Sequence, residues 1–370
     1  MTPFFDRRIL THFDFLLMFL VTPLIATSWI LVAEISTMLA NKQLIYMSIA
    51  FGTFFLIFFL PLRKFTWLIP TTYWLAILML IAVEVFGITK LGAQRWLQLP
   101  IVNLTIQPSE LMKPAFILML GYLISNNPPP RTGYGLKNFI KLSFFILLPF
   151  FLIAKEPDLG TATIILIVGI GVLVAVGVEK RIWITLSILL GLSSTLLYDN
   201  LHNYQKKRIT DFLAEKPSYH VQQSIIAIGS GGLTGQSKED ATQTQLKFLP
   251  IASSDFIFAY VVERFGFVGA FLLIALYASI ILHLFSLTAK VKKDYLASVT
   301  IIALAILLFV YMSVNIAMTI GLAPVVGVPL PMFSHGGSSF ITFMILLAIV
   351  QHFLAFRFNL MYTFDSKFID

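Results

Sequence analysis

Leu296-Ala-Ser-Val-Thr-Ile-Ile-Ala-Leu-Ala-Ile-Leu-Leu-Phe-Val-Tyr-Met-Ser-Val-Asn-Ile-Ala-Met-Thr-Ile-Gly-Leu322 contains no charged side chain. A helix that crosses a bilayer needs about 20 mostly apolar residues, and this stretch exceeds that. Runs of the same kind lie near Asp14–Ala33, Leu44–Leu62, Thr66–Val85, Glu110–Ser125, Phe139–Ala154, Thr161–Gly177, Ile182–Leu197, Phe256–Leu284 and Ser338–Leu360, about ten spans in all. Composition agrees. Of 370 residues, 58% are hydrophobic and 12% charged, against about 25% charged in soluble domains. So few charges leave a water-facing surface uncovered, which excludes a soluble enzyme, a disordered chain and a nucleic-acid binder. The chain reads as all-α and polytopic, one membrane domain over residues 1–370. It has no cysteine, so disulfides, thiolate metal sites and cysteine nucleophiles are absent.

The net charge of +8 comes from few acids rather than many bases. With the N-terminus cytoplasmic, the inner segments hold Arg7, Arg8, Arg63, Lys64, Arg131, Lys137, Lys141, Lys180, Arg181, Lys290, Lys292, Lys293, Arg357 and Lys367. The short outer loops hold Lys42, Lys90, Arg95 and Lys155. That alternation predicts ten spans with both ends cytoplasmic. The first run is too long for a secretory h-region and no small-residue cleavage site follows, so it reads as an uncleaved anchor.

Two segments are out of scale. Residues 199–255 form one long outer loop with a glycine cluster, Gly229-Ser-Gly-Gly-Leu-Thr-Gly235, and an apolar patch, Val221–Ile228, expected to fold back onto the membrane. The cluster lacks the Lys-Ser/Thr ending of a phosphate loop. Pro324–Ser339 carries Pro324, Pro329, Pro331 and Gly336-Gly337, so it is irregular and lines a cavity or the outer rim.

Ionisable groups beside apolar runs are costly, so each is a site candidate. Glu110 and Lys113, at i and i+3, share a helix face; a local ion pair and a cavity-facing pair both fit. Glu263 and Arg264, on different faces, suit structural pairing. Glu156 and Asp158 suit a solvated loop. Asp255 closes the long loop and opens an apolar helix. That position suits an N-cap first, and a general base of raised pKa at the lipid–water boundary second. His335 reads as a hydrogen-bonded rim residue. No His/Asp/Glu cluster has metal-ligand spacing.

Six segments occur in order: Gly92-Ala-Gln-Arg-Trp96, Gln107-Pro-Ser-Glu110, Lys155-Glu-Pro-Asp-Leu-Gly160, Ala227-Ile-Gly-Ser-Gly-Gly232, Phe248-Leu-Pro250 with Asp255-Phe-Ile-Phe258, and Pro329-Leu-Pro-Met-Phe-Ser-His-Gly-Gly-Ser-Ser339. This series, spread over almost the whole chain, resembles the SEDS family (shape, elongation, division and sporulation proteins). The short tails and Val326-Gly-Val-Pro-Leu-Pro331 are similar to its RodA branch rather than to FtsW.

The resemblance implies a ten-helix peptidoglycan glycosyltransferase of the bacterial inner membrane. It would polymerise lipid II on the periplasmic side during cell elongation, beside a class B penicillin-binding protein that crosslinks the strands. Asp255 matches the family's essential aspartate. Arg95, Glu110, Lys113 and Lys155 fall in motifs that line or support its outer cavity; Arg208 matches the basic start of the large loop, and Ser338 lies in the last motif. A divalent cation, Mg²⁺ or Mn²⁺, is the one cofactor implied as an option. The sequence departs from the family where Ile251 replaces an expected acid, Ser253 a histidine, Ala241 a glycine and His335 a tyrosine, and where Gly235-Gln-Ser237 leaves a Gly-x-Gly incomplete. A lipid II flippase and a non-catalytic scaffold are the rival functions.

Overall fold

The computed structural model describes residues 7–90, 93–99, 104–199, 206, 210, 212, 218–246, 248–249 and 251–357. Among them the helices follow the apolar runs. α1 (Arg7–His12) leads into α2 (Phe15–Ile35), α3 (Thr37–Phe59) and α4 (Leu68–Phe86). Then come α5 (Pro108–Asn126), α6 (Leu136–Lys155), α7 (Leu159–Val176) and α8 (Lys180–Asp199). α9 (Tyr219–Gly231) and the single turn α10 (Thr242–Gln245) precede α11 (Ile257–Leu287), α12 (Tyr295–Thr319) and α13 (Gly337–Ala355). Side-chain oxygens mark several starts: Asp14, Asp158 and Asp294 accept from the backbone N–H of Leu17, Thr161 and Ala297.

Eight of these helices are long and apolar enough to cross a membrane: α2, α3, α4, α6, α7, α11, α12 and α13. α5 and α8 supply the other two expected runs, as helices of 19 and 20 residues. They carry more polar character: α5 holds Glu110 and Lys113, and α8 opens on Lys180-Arg181. α13 is the central helix, with 78% of its apolar window buried against 22% for α6. Position explains its polar residues. Gln351 donates from Nε2 to Asp14 O at 2.8 Å and accepts from Asp14 N at 3.0 Å, and His352 Nδ1 donates to Phe58 O at 2.9 Å.

The helical architecture is met, with one small addition. β1 (Ile88–Lys90), β2 (Ala93–Leu99) and β3 (Leu104–Ile106) form a small antiparallel sheet between α4 and α5. Leu97 pairs with Ile106 and Leu99 with Leu104, while Gln98 pairs with Thr105. One face is thus apolar and the other polar, the period-2 pattern of a half-buried ribbon. Strands this short fall below a criterion built on bilayer thickness.

The long eighth run is also not one regular helix. Gly266, at φ 63°, breaks α11, and the glycine cluster repairs the break. Phe267 N donates to Gly232 O (2.9 Å), Val268 N to Leu233 O (3.2 Å) and Gln236 N to Glu263 O (3.0 Å). In lipid an unsatisfied backbone group costs several kcal/mol, so a helix can open here only where another backbone supplies partners. The approach leaves no room for side chains. A Cβ on Gly231 would lie 2.0 Å from Val262 O, and one on Gly235, at φ +84°, 2.2 Å from Arg264 O. Gly235→Ala therefore lowers stability by about 2–4 kcal/mol in thermal unfolding in detergent. Gly229→Ala, which would meet nothing within 4 Å, stays within about 0.5 kcal/mol of the parent. Equal melting of the two variants would refute this account of the cluster.

Ion pairs gather at the two ends of the bundle. Arg63 pairs with Asp294 (2.7 Å) and Asp14 with Lys290 (3.2 Å) at one end, where His283 Nε2 also hydrogen-bonds to Asp14 Oδ1 (2.7 Å). At the other, Glu34 pairs with Arg264 (2.8 Å), Glu84 with Lys155 (3.1 Å) and Asp158 with Arg95 (3.7 Å). Glu263 accepts from Gln243 N (2.9 Å) and Thr244 Oγ1 (2.7 Å), which hangs α10 on α11. Glu263 and Arg264 thus have the separate structural partners expected of them. α9 lies along α11, ties to α12 through Ser224 Oγ donating to Thr319 O (2.7 Å), and leaves Ile225 and Ile226 exposed.

Candidate active site

Asp255 stands at the second end, in the turn that enters α11. It is not the N-cap. That position belongs to Phe256, and no side chain caps the helix. The half-buried Asp255 carboxylate instead accepts from Ser254 Oγ at 2.7 Å. Burial pushes its pKa above the usual carboxylate range, while the Ser254 hydroxyl and the Arg95 charge hold it down. An acid of this kind is a better base than a solvated one.

The turn is fixed through its carbonyls. His335 N donates to Ser253 O (2.8 Å), Ser334 Oγ to Ser254 O (2.6 Å) and Asn315 Nδ2 to Asp255 O (2.8 Å). The proline-rich segment 324–336 supplies two of these donors and is itself buttressed. Tyr277 OH donates to Pro331 O (2.7 Å), Ser28 Oγ to Phe333 O, and Gln43 Nε2 to Ser28 Oγ (2.8 Å). Backbone strain sits in the same two loops: Ile251 at φ 56° and Met332 at φ 58° are non-glycine residues in the left-handed region. Gly327 lies so close that a Cβ there would be 3.6 Å from Asp255 Oδ2.

Arg95, on β2, straps the loop between α6 and α7. Its Nε donates to Glu156 O (3.3 Å), its Nη2 to Pro157 O, and its Nη1 lies 3.7 Å from Asp158 Oδ1. The expectation of a solvated loop for Glu156 and Asp158 is corrected, since they are 3% and 4% exposed. The strap draws the loop inward, and Asp158 is consumed in capping α7. Glu156 has no hydrogen-bond partner on either carboxyl oxygen. Burial, with the charges of Asp158 and Glu84, pushes its pKa up to about 8 against the opposing pull of Arg95.

The remaining candidates divide. Glu110 and Lys113 form one buried pair (2.6 Å), with Lys113 1% exposed and 5.0 Å above the Tyr311 ring. The local ion pair is therefore the reading the geometry bears out. Lys155 is outward-facing and held by Glu84. Ser338 is exposed in the first turn of α13. Arg208 lies outside the described residues. His335 is half-buried with Nδ1 unpartnered, and burial and Lys42 lower its pKa. Sequence reasoning missed Asn315. The available signal was an amide inside an apolar run, just before a glycine and proline break.

Beside this end, between α2 and α11, lies an open apolar groove of about 410 Å³ lined by Leu24, Val261, Phe265, Leu272, Leu276 and Phe333. Phe333 belongs to the segment that grips the Asp255 turn. A carboxylate of raised basicity, an adjacent guanidinium and an apolar groove suit chemistry on the head of a lipid.

The family model of the cell cycle proteins FtsW, RodA and SpoVE matches residues 5–357. The chain belongs to this family. It is the SEDS family of the sequence resemblance. A Helicobacter pylori protein, the peptidoglycan glycosyltransferase MrdB, is 54% identical over 362 residues, 98% of this chain and 94% of that one. The crystal structure of the rod shape determining protein RodA of Thermus thermophilus superposes with a TM-score of 0.69 at 26% identity, covering 92% of this chain and 96% of that one. A chain from a peptidoglycan synthase complex, described as coordinating polymerization and crosslinking, gives 0.79 at 25% identity, covering 92% and 97%. The RodA-like character expected within the SEDS family is thus met.

Proposed function

We propose that the chain is a peptidoglycan glycosyltransferase that polymerises lipid II into glycan strands during cell elongation. The observation that carries this is Asp255, a basic, half-buried carboxylate fixed by its own backbone beside Arg95 and an apolar groove. A sugar hydroxyl of the acceptor attacks the anomeric carbon of the donor. Its proton passes to Asp255, the new glycosidic C–O bond forms, and the C–O bond to the lipid diphosphate breaks with both electrons on the leaving oxygen. Attack opposite the diphosphate inverts the centre and needs one base. Arg95, whose charge acts on Asp255, faces this reaction, and Lys155, Arg208 and Ser338 are further candidates for holding the head group. Glu110 and Lys113, paired and buried, take a supporting role in this reading. The groove takes the isoprenoid tail, so the membrane fixes the reacting ends at one depth.

Among the described residues no three His, Cys, Asp or Glu side chains gather as a metal site. Mg²⁺ or Mn²⁺ would use one or two carboxylates here and complete its shell with substrate diphosphate and water, a common arrangement for Mg²⁺. Bound so, it would neutralise charge on the leaving group. In our reading the Asp255 end faces the periplasm, both termini are cytoplasmic, and a class B penicillin-binding protein is the partner.

The test is polymerisation of labelled lipid II by the purified chain, alone and with that partner, with and without Mg²⁺ or Mn²⁺. Glycan strands are expected. Their absence with the partner present and lipid II intact would overturn the enzyme in favour of a flippase or scaffold. The pH profile carries a signed prediction. Asp255 must be ionised to act, so activity falls as pH drops through its raised pKa. Arg95 holds that pKa down, so Arg95→Gln moves the acid limb to higher pH. A limb that moves down or stays would break the link between the two groups.

A further inference from the structure

Asn315 lies within α12 and is fully buried, and its Nδ2 donates twice: to Asp255 O at 2.8 Å and to Val328 O at 2.7 Å. Its Oδ1 is buried without a hydrogen-bond partner. An amide placed in an apolar span and left half unsatisfied is held at a cost of about 1–3 kcal/mol, which marks a position kept for geometry. The two carbonyls belong to the two segments that make the site. One is the residue that carries the carboxylate. The other lies next to Gly327, where an added Cβ would stand at contact distance, 3.6 Å, from Asp255 Oδ2. Among the hydrogen bonds described, Asn315 is the side chain that spans both segments and anchors them to a membrane helix.

We infer that Asn315 is a positioning residue, which sets how deeply the Asp255 carboxylate is buried and where it points, without itself touching substrate. The inference rests on the reading of Asp255 as the base. Without the Nδ2 donor, the Asp255 carbonyl is free, the turn relaxes outward and the carboxylate gains water. Its pKa then falls back toward the ordinary range. Misplacement of a catalytic group by about 1 Å costs on the order of 100-fold.

The experiment compares Asn315→Ala, Asn315→Leu and Asp255→Asn in lipid II polymerisation, with thermal unfolding in detergent. Leucine shares the branch of asparagine at Cγ and fills the site without the bonds, so it serves if the alanine variant fails to fold. Expected for the folded variants is a kcat lower by about 10–100-fold, a KM for lipid II unchanged within about twofold, and an acid limb moved to lower pH. Wild-type kcat in the leucine variant, an effect confined to KM, or an unmoved acid limb overturns the inference. If Asp255→Asn still polymerises, the reading of the base falls instead. If that variant is dead while both Asn315 variants are normal, the base stands and only the role of Asn315 falls.

Discussion

Asp255→Asn abolishes strand formation, with polymerisation reduced by about 1,000-fold or more, while the protein keeps its fold and its hold on lipid II. The amide matches the carboxylate in shape and still reaches Ser254 Oγ, which the carboxylate accepts at 2.7 Å. It cannot take up the acceptor's proton, and general bases contribute about 10²–10⁴-fold. Replacing a half-buried acid whose burial already disfavours its charge leaves stability unchanged or slightly raised. Asp255→Glu is a sharper probe. The turn is anchored through its backbone carbonyls, so an extra methylene carries the carboxylate off its position. Its activity falls between wild type and Asp255→Asn. Gel analysis of labelled strands, beside melting curves, decides the matter. Residual polymerisation within tenfold of wild type in the asparagine variant would remove Asp255 from the chemistry.

Lys113→Met destabilises the bundle more than any surface change. Lys113 Nζ lies 2.6 Å from Glu110 Oε1 and 5.0 Å over the Tyr311 ring, and Lys113 is 1% exposed. Glu110 Oε2 already lacks a partner. Removing the ammonium strands a buried carboxylate, a class of change that costs about 3–5 kcal/mol. Glu110→Gln strands the ammonium instead and is also destabilising, softened by the Tyr311 ring. The double variant Glu110→Gln/Lys113→Met recovers most of the loss, because neither charge is left alone. Thermal unfolding of the four proteins in detergent reads the coupling directly. Additive losses would show that the pair does not act as a unit, and would reopen a solvent-facing role for both side chains.

The membrane architecture was legible because bilayer thickness imposes a length on each helix that composition reveals. The described helices match the expected runs to within a few residues at most ends, and Arg63, Lys290 and Asp14 gather at one end as the basic loops require. What escaped was whatever lies outside that rule. The sheet around Arg95 is too short to register, and the break at Gly266 is set by carbonyls of Gly232 and Leu233, more than 30 residues away. Motif resemblance singled out Asp255 against its common role as a cap, and the geometry agrees that it caps nothing. Glu156 and Asp158 were misjudged because their burial depends on Arg95, a partner 61 and 63 positions away whose folding back no local pattern announces. Asn315 was hidden for the opposite reason, since one amide barely alters the hydropathy of its span.

The grip on residues 253–255 consists of bonds to their main-chain oxygens, from His335 N, Ser334 Oγ and Asn315 Nδ2. Every amino acid brings the same oxygen. The side chain at Ser253 is therefore free to drift over evolutionary time, and this chain departs from its family there without losing the frame. His335 enjoys the same licence, because it contributes its backbone N–H. The donors that act through side chains, Ser334 and Asn315, have no such freedom. Variation among descendants of this chain should accumulate on the accepting loop and spare those two donors, so the constraint on the aspartate's surroundings is written mostly in residues that never face the substrate.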